Sequence, residues 1–395
     1  MVRKLSTALI AQSRFRNFLM GNKIQIGMVG GGAIARAHVI AYESVPLLHS
    51  MEKIQPVFSV VADATEELSM QAATRLGFGT HTSDWKNLAS SPQVDLVDIV
   101  APTYLHAEVA IEAAEHHKHI LCEKPIAASA SDAKRMYEAA KRSGVVNAMG
   151  FNYRRLPAVL LAKKMINEGS LGKITQFRTS FLEDWGANPD MPFTWRYDSK
   201  RAGGGTLADL GSHILDISRF LIGEIHSVSG TQATFINERK IAFSSESAKV
   251  DVDDYTCALL KFANGVPGRL ETSWASLGRK VYLDFEINGT EGSVYFNFEK
   301  PNELGFYSNS DPKDRQGYRA IIMGPPHPYG SAFTFPATGS GAGFQDSLNN
   351  EIYEFLQGVS TSSMVKPDFY DGWKVAQIIE AIQKSNTEQR WVEVA

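Results

Sequence analysis

The chain has 395 residues, 44% hydrophobic and 21% charged, a globular composition in a length that suits two domains of unequal size. Its formal net charge of −3 gives no reason to expect nucleic acid or an anionic membrane as a main partner, and no apolar run nears the roughly 18 residues of a membrane-spanning helix. Two cysteines, Cys122 and Cys257, exclude a disulfide framework, lack metal-ligand spacing and fit a reducing cytoplasm.

Residues 1–21 are expected to be an N-terminal extension outside the fold. They carry Arg3, Lys4, Arg14 and Arg16 and no acid. The stretch 13–19 loosely resembles a twin-arginine export signal, but its arginines are not adjacent and no long apolar core follows. It reads as a tail, or as sequence upstream of a start at Met20.

The run 24–29 is short, apolar and ends at glycines, the pattern of a buried parallel strand. A helix follows over 33–42 and a second strand over 57–62, ending at Asp63. In the next helix Leu68, Ala72 and Leu76 recur every four residues, with Thr65 as N-cap and Gly77 as stop. Strand 96–101, helix 105–117, strand 120–122, helix 131–142 with Gly144 at its end, and strand 145–149 complete the series. This alternation describes a doubly wound parallel sheet over 22–150. After about residue 150 strands are expected at 174–181, 256–262, 268–274, 282–287 and 293–298, several joined by hairpin turns such as Ala263-Asn264-Gly265. Residues 151–395 therefore read as an α+β domain with a mostly antiparallel open sheet. Within it, 301–343 is rich in Gly, Pro and Ser and looks like a long surface excursion; helices at roughly 344–357 and 371–385 finish the chain.

Gly30-Gly31-Gly32-Ala33-Ile34-Ala35 joins the first strand to the first helix. Gly30 permits the tight turn, Gly32 lets the backbone approach a pyrophosphate, and Ala35 is small enough for helix–strand packing. Free N–H groups at the helix start, around Ala33 and Ile34, face the phosphates. Asp63 can accept hydrogen bonds from both ribose hydroxyls and repels a 2′-phosphate, favouring NAD over NADP. It lies further from the glycines than the usual roughly 20 residues, a distance that an insertion at 45–54 would explain.

Glu123-Lys124-Pro125 falls at the C-terminal end of an expected parallel strand, the edge where such sheets bind ligands. A lysine there can hydrogen-bond a substrate oxygen and favour loss of its proton; taken alone, Lys124 reads equally as a surface residue. Further on, Gly203, Gly204 and Gly205 precede a helix marked by Leu207, Leu210, Ile214, Ile217 and Leu221. Asp209 and His213, four apart, share one side of it. A histidine can take a hydroxyl proton near neutral pH, and the aspartate can orient the substrate or stabilise the imidazolium. The competing readings are a structural helix pair, or a metal site with Asp216 that lacks a further cluster to complete its shell.

With these residues in hand, the chain from about 22 to 390 resembles the Gfo/Idh/MocA oxidoreductases, a family that includes inositol dehydrogenases and glucose–fructose oxidoreductase. The marks are the glycine motif, Pro102-Thr103-Tyr104-Leu105-His106, Glu123-Lys124-Pro125, Gly150-Phe151-Asn152-Tyr153-Arg154-Arg155, Trp195-Arg196, the stretch with Asp209 and His213, and Asn288-Gly289-Thr290-Glu291-Gly292. The resemblance implies a Rossmann domain and a Lys–Asp–His catalytic set mapping onto Lys124, Asp209 and His213. It also implies a cis Lys124–Pro125 peptide, and cofactor contacts near Pro102, Thr103, His106, Glu123, Lys124, Asn152, Trp195 and Arg196. The implied protein is a homo-oligomer, dimer or tetramer, often built on the second-domain sheet. Its implied activity is NAD-dependent oxidation of a secondary hydroxyl on a sugar, anhydrosugar or cyclic polyol, without a metal. Tyr153, Arg154, Trp185, His327 and Tyr329 join the catalytic set as candidates to hydrogen-bond or stack on the substrate ring. The alternative is an NAD-dependent glycosidase working by transient oxidation on the same fold, although those relatives typically lack the lysine. A silent NAD-binding protein is the third reading, and the joint presence of Lys124, Asp209 and His213 argues against it.

Overall fold

A computed structural model describes residues 22–49, 51 and 54–395; the extension expected at 1–21 lies outside the described residues. The first half alternates as the apolar runs dictate. In order come β1 (Asn22–Val29), α1 (Ala33–Leu48), β2 (Ile54–Ala62), α2 (Glu66–Leu76), β3 (Thr80–Thr82), α3 (Trp85–Ala89), β4 (Leu96–Ile99), α4 (Thr103–Glu115), β5 (His119–Cys122), α5 (Ala130–Ser143) and β6 (Asn147–Met149). All six strands run parallel in the order β3-β2-β1-β4-β5-β6. Helices cover both faces, so every residue of β4 is buried, and the strands read as continuous rather than alternating apolar runs. The stop signals hold. Thr65 accepts the Leu68 N–H, Ser129 accepts that of Asp132, and Gly77 and Gly144 end their helices at φ 78° and 68°.

The strand order reverses between β1 and β4, which opens a crevice at their carboxyl ends. One expectation is corrected here. The first helix does not end at Tyr42: α1 continues to Leu48 and β2 begins at Ile54, so much of the added length before Asp63 is helix. The added helical turns have a core to bury in, since Tyr42 and Val45 pack with residues near the C-terminus.

The second half contains α6 (Pro157–Asn167), β7 (Ile174–Leu182), α7 (Gly211–Leu221), β8 (Ile225–Ala233), a hairpin of β9 (Glu238–Lys240) and β10 (Ser247–Lys249), β11 (Tyr255–Phe262), β12 (Pro267–Ser273), β13 (Tyr282–Gly289), β14 (Gly292–Asn297), β15 (Glu303–Ser308), β16 (Arg319–Ile322), α8 (Phe344–Thr361), α9 (Phe369–Glu388) and β17 (Val392–Glu393). Nine strands form one sheet, β16-β15-β14-β13-β7-β12-β11-β8-β17. Every pairing in it is antiparallel except β7 with β12. In β11 Thr256, Ala258, Leu260 and Phe262 are buried while Leu259 and Lys261 are exposed, the alternation of a sheet covered on one face.

The region 301–343 is not a surface excursion. It supplies β15 and β16 and buries Leu304, Met323, Phe333 and Ala342; its Gly, Pro and Ser content hid two strands at one end of the sheet. α8 then returns to the first sheet, where Leu348, Ile352, Phe355 and Leu356 pack with Ile24, Ile26, Leu96 and Leu121. No helix of the described residues is long and apolar enough to cross a membrane.

Candidate functional site

A cleft of about 660 Å³ lies where the carboxyl ends of β1, β4 and β5 meet the Gly-rich turn before α7. Gly30 sits at φ 104°, a backbone angle that strains other residues, and a Cβ there would meet the Val100 carbonyl oxygen at 2.7 Å. Gly32 is the reverse case. It is the N-cap of α1, no side chain caps the helix, and no atom stands within 4 Å of where its Cβ would be. The first N–H groups of α1 therefore open onto the cleft that Gly32, Ala33 and Ile34 line. This open cradle fits the pyrophosphate of a dinucleotide.

Asp63 faces both the cleft and an adjoining hollow of about 390 Å³. Its carboxylate accepts the N–H groups of Gly31 at 3.0 Å and Ala64 at 2.7 Å. The hollow is also lined by Arg36 and Arg75, two cations that the sequence motif did not single out; Arg75 donates to the Gly31 carbonyl. Pro102, Thr103, Glu123, Asn152, Trp195 and Arg196 all line the cleft. The Asn152 amide donates to the Ser347 hydroxyl at 2.7 Å, and the Arg196 guanidinium stacks 4.6 Å from the Trp195 ring. His106 does not reach the cavity. It is buried with its ring nitrogens 2.8 Å from the Ala101 carbonyl and 3.0 Å from that of Pro125, so it braces the two loops from behind. Burial holds its pKa below the ordinary value.

Lys124 and Asp209 meet across the cleft. The Lys124 ammonium donates to Asp209 Oδ1 at 2.7 Å and to the Asp209 carbonyl at 3.1 Å, and the Lys124–Pro125 peptide is cis. Burial pushes the Asp209 carboxyl up, but Lys124, with help from Arg196, brings it below its usual value. Behind Lys124 stands an array absent from the sequence reading. Fully buried His38 lies 2.9 Å from Asp98 and 3.2 Å from Glu123, and the other oxygen of Glu123 accepts the Lys124 N–H at 3.1 Å. Burial alone would lower the His38 pKa; the two carboxylates reverse this and raise it well above 6.5.

His213 is held by packing. Its ring centroid lies 4.8 Å from Tyr153, 6.0 Å from Phe181 and 6.2 Å from Phe151, and its buried Nδ1 has no hydrogen-bond partner among the described residues. Burial, and then the charge of Lys124, hold its pKa well below 6.5, so the ring is neutral near pH 7. The expected Asp209–His213 partnership is corrected. Helical turns Thr206–Asp209 and Gly211–Leu221 are separated at Leu210, and Asp209 engages Lys124 instead. Asp253 fixes this junction by accepting the Gly205 and Leu207 N–H groups at 2.8 Å each.

Four substrate candidates are placed elsewhere. Buried Arg154 pairs with Asp216, Nε to Oδ2 at 2.9 Å, which also commits the aspartate of the metal reading. His327 is tied to Gly324, and the Tyr329 hydroxyl bonds Glu354 on α8; neither lines the cleft. Trp185 stands behind the wall, its indole N–H donating to Glu183 at 2.5 Å and its ring 5.0 Å from Trp274. Tyr153 does line the cavity, and so does Glu183, which the sequence reading missed. Among the described residues no group of three His, Cys, Asp or Glu is placed to hold a metal.

Comparison with known proteins agrees with this geometry. Residues 24–151 match the model of the oxidoreductase family with NAD-binding Rossmann fold, and residues 159–295 match that of the GFO/IDH/MocA C-terminal domain. The chain is 40% identical over 383 residues to levoglucosan dehydrogenase of Pseudarthrobacter phenanthrenivorans, covering 94% of this chain and 98% of that protein. It is 33% identical over 237 residues to scyllo-inositol 2-dehydrogenase (NAD(+)) of Bacillus subtilis, covering 60% and 64%. A solved structure of levoglucosan dehydrogenase in complex with NADH and levoglucosan superposes with a TM-score of 0.92 at 41% identity, over 95% of this chain and 100% of that one.

Proposed function

As a member of the Gfo/Idh/MocA oxidoreductase family, to which the chain belongs, the protein is an NAD-dependent dehydrogenase of sugars or polyols, and we propose that Lys124, Asp209 and His213 surround its reacting carbon. The observation that carries this reading is that Lys124, Asp209 and His213 line the same cleft as the glycine cradle. When bound, NAD would supply the hydride acceptor for the carbinol carbon. Neutral His213 takes the hydroxyl proton. The Lys124 ammonium donates a hydrogen bond to the oxygen as negative charge develops on it, and Asp209 holds that ammonium in place. The start of α1 binds the pyrophosphate and Asp63 the adenosine ribose. An anhydrosugar or cyclic polyol is the substrate class, supported by the levoglucosan and scyllo-inositol enzymes among the relatives. The test is NADH formation from levoglucosan and a panel of inositols and glycosides with NAD and with NADP. Release of an aglycone without NADH would overturn the reading in favour of a glycosidase.

Replacing Asp63 should reset cofactor choice. Its carboxylate repels a 2′-phosphate, while Arg36 and Arg75 beside it would attract one. At a partly exposed site the lost repulsion is worth about 1–3 kcal/mol. Asp63→Ala should therefore lower the NAD/NADP ratio of kcat/KM by about 10- to 100-fold. An unchanged ratio would remove Asp63 from this role.

Three further readings belong to the same proposal. Division near residue 150 is supported by the break between the sheets, with α8 joining the first sheet from the C-terminal side. A cytoplasmic setting is supported by two free thiols. A homo-oligomer is supported by exposed Leu259, Tyr295 and Ile322 on the large sheet, and light scattering reads its size.

A further inference from the structure

Glu183 stands at the carboxyl end of β7 with its backbone fixed on both sides. Its N–H donates to the Ser273 carbonyl, and its carbonyl accepts the Ser276 N–H, each at 2.8 Å. One carboxyl oxygen, Oε2, accepts the Trp185 indole; the other takes no hydrogen bond from the protein among the described residues. Tyr153, Phe181 and Trp274 line the same cleft. The unused oxygen faces the open cleft, where a ligand hydroxyl can take the place of solvent on it.

We propose that Glu183 binds a second hydroxyl of the substrate, next to the carbinol being oxidised, and so selects polyols over simple secondary alcohols. This assignment rests on the dehydrogenase reading. The charged and titratable groups facing Glu183 are Lys124 from the loop after β5, Asp209 from the turn before α7, its own neighbour Asp184, and Tyr153. Burial, more than any of these, raises the Glu183 carboxyl to about 7; Asp209 and Asp184 push the same way, and Trp185 and Lys124 oppose them. Near neutral pH the group therefore exists both as a carboxylate that accepts from a hydroxyl and as an acid that donates to one.

The test compares the full-length enzyme with Glu183→Gln, whose amide oxygen still accepts the indole N–H. The substrates are whichever of levoglucosan or myo-inositol the unmutated enzyme oxidises, and its analogues lacking each hydroxyl that flanks the oxidised carbon. KM for the parent polyol should rise about 10- to 100-fold in the variant, the loss expected for one hydrogen bond to a charged group. Discrimination against one of the deoxy analogues should collapse by the same factor, and the inflection of kcat/KM near pH 7 should disappear. NADH affinity, read by fluorescence titration, should not change, which separates a lost contact from a damaged fold. An active enzyme whose variant keeps both the discrimination and the pH profile overturns the assignment alone. An unmutated enzyme that reduces NAD with none of the probes overturns the proposed anhydrosugar or cyclic-polyol substrate class, and this assignment with it.

Discussion

Lys124→Met should lower kcat/KM by about 10³-fold while NADH still binds within a few-fold of its original affinity. The ammonium is a preorganised donor aimed from 2.7 Å at Asp209, and it lies in the cleft wall where an alkoxide would form. Removing one such donor typically costs about 10² to 10³ in turnover, and here a full charge goes with it. Methionine keeps most of the packing volume, so the change is chiefly electrostatic. A secondary effect identifies the partner. Lys124 and Asp209 side chains are 17% and 27% exposed, and the variant leaves the carboxylate without its counter-charge, a loss of roughly 1–3 kcal/mol. Since the folded pKa of Asp209 lies below its unfolded value, the pair's contribution is fully present above about pH 4. It fades as pH falls through the folded value. Melting temperatures of the variant and its parent should therefore differ most near neutrality and converge in acid, and Lys124→Met/Asp209→Asn should recover part of the loss. Full activity in Lys124→Met would dismiss the lysine from the chemistry.

What could be read from the sequence was what is local in it. Strand and helix periods, the Gly30–Ala35 turn and the caps at Thr65, Gly77 and Gly144 each depend on residues a few positions apart, and the structure places them nearly where the periods do. The catalytic candidates were also legible, because Lys124 ends a strand and Asp209 and His213 follow a glycine turn. What escaped depends on partners far along the chain. His38 acts through Asp98, 60 residues away, and Glu123, 85 away, and nothing in α1 announces either. Arg154 and Tyr329 were candidates by residue type, yet their hydrogen-bonding groups are committed to Asp216 and Glu354, 62 and 25 residues on. Glu183 gained its character only when β7 and β12 paired and brought Trp274 to its cleft wall. The length of α1 was misjudged for the same reason, because its last turns bury against the far C-terminal α8.

His213→Ala should lower turnover by about 10² to 10⁴-fold, the usual contribution of a positioned general base, and added imidazole should restore part of it. The ring is boxed by Tyr153, Phe151 and Phe181, so its deletion leaves a void of its own shape into which imidazole can enter. Rescue in that void distinguishes a missing base from a disturbed fold. The pH behaviour follows from the same surroundings. Burial and Lys124 keep the folded pKa well below 6.5, so the base is already neutral across the physiological range. An inflection of the parent enzyme near pH 7 that Glu183→Gln abolishes should therefore survive in the residual activity of His213→Ala. Stability runs in the same direction as for the Lys124–Asp209 pair, because both folded pKa values are depressed. Below about pH 6.5 the unfolded imidazole takes a proton that the folded one refuses. The parent is therefore penalised as pH falls, and the alanine variant is not. The gap in melting temperature between them should narrow from pH 7.5 to pH 5.5. A gap that widens in acid would mean that the imidazole is charged in its aromatic box, and a charged ring cannot take the hydroxyl proton.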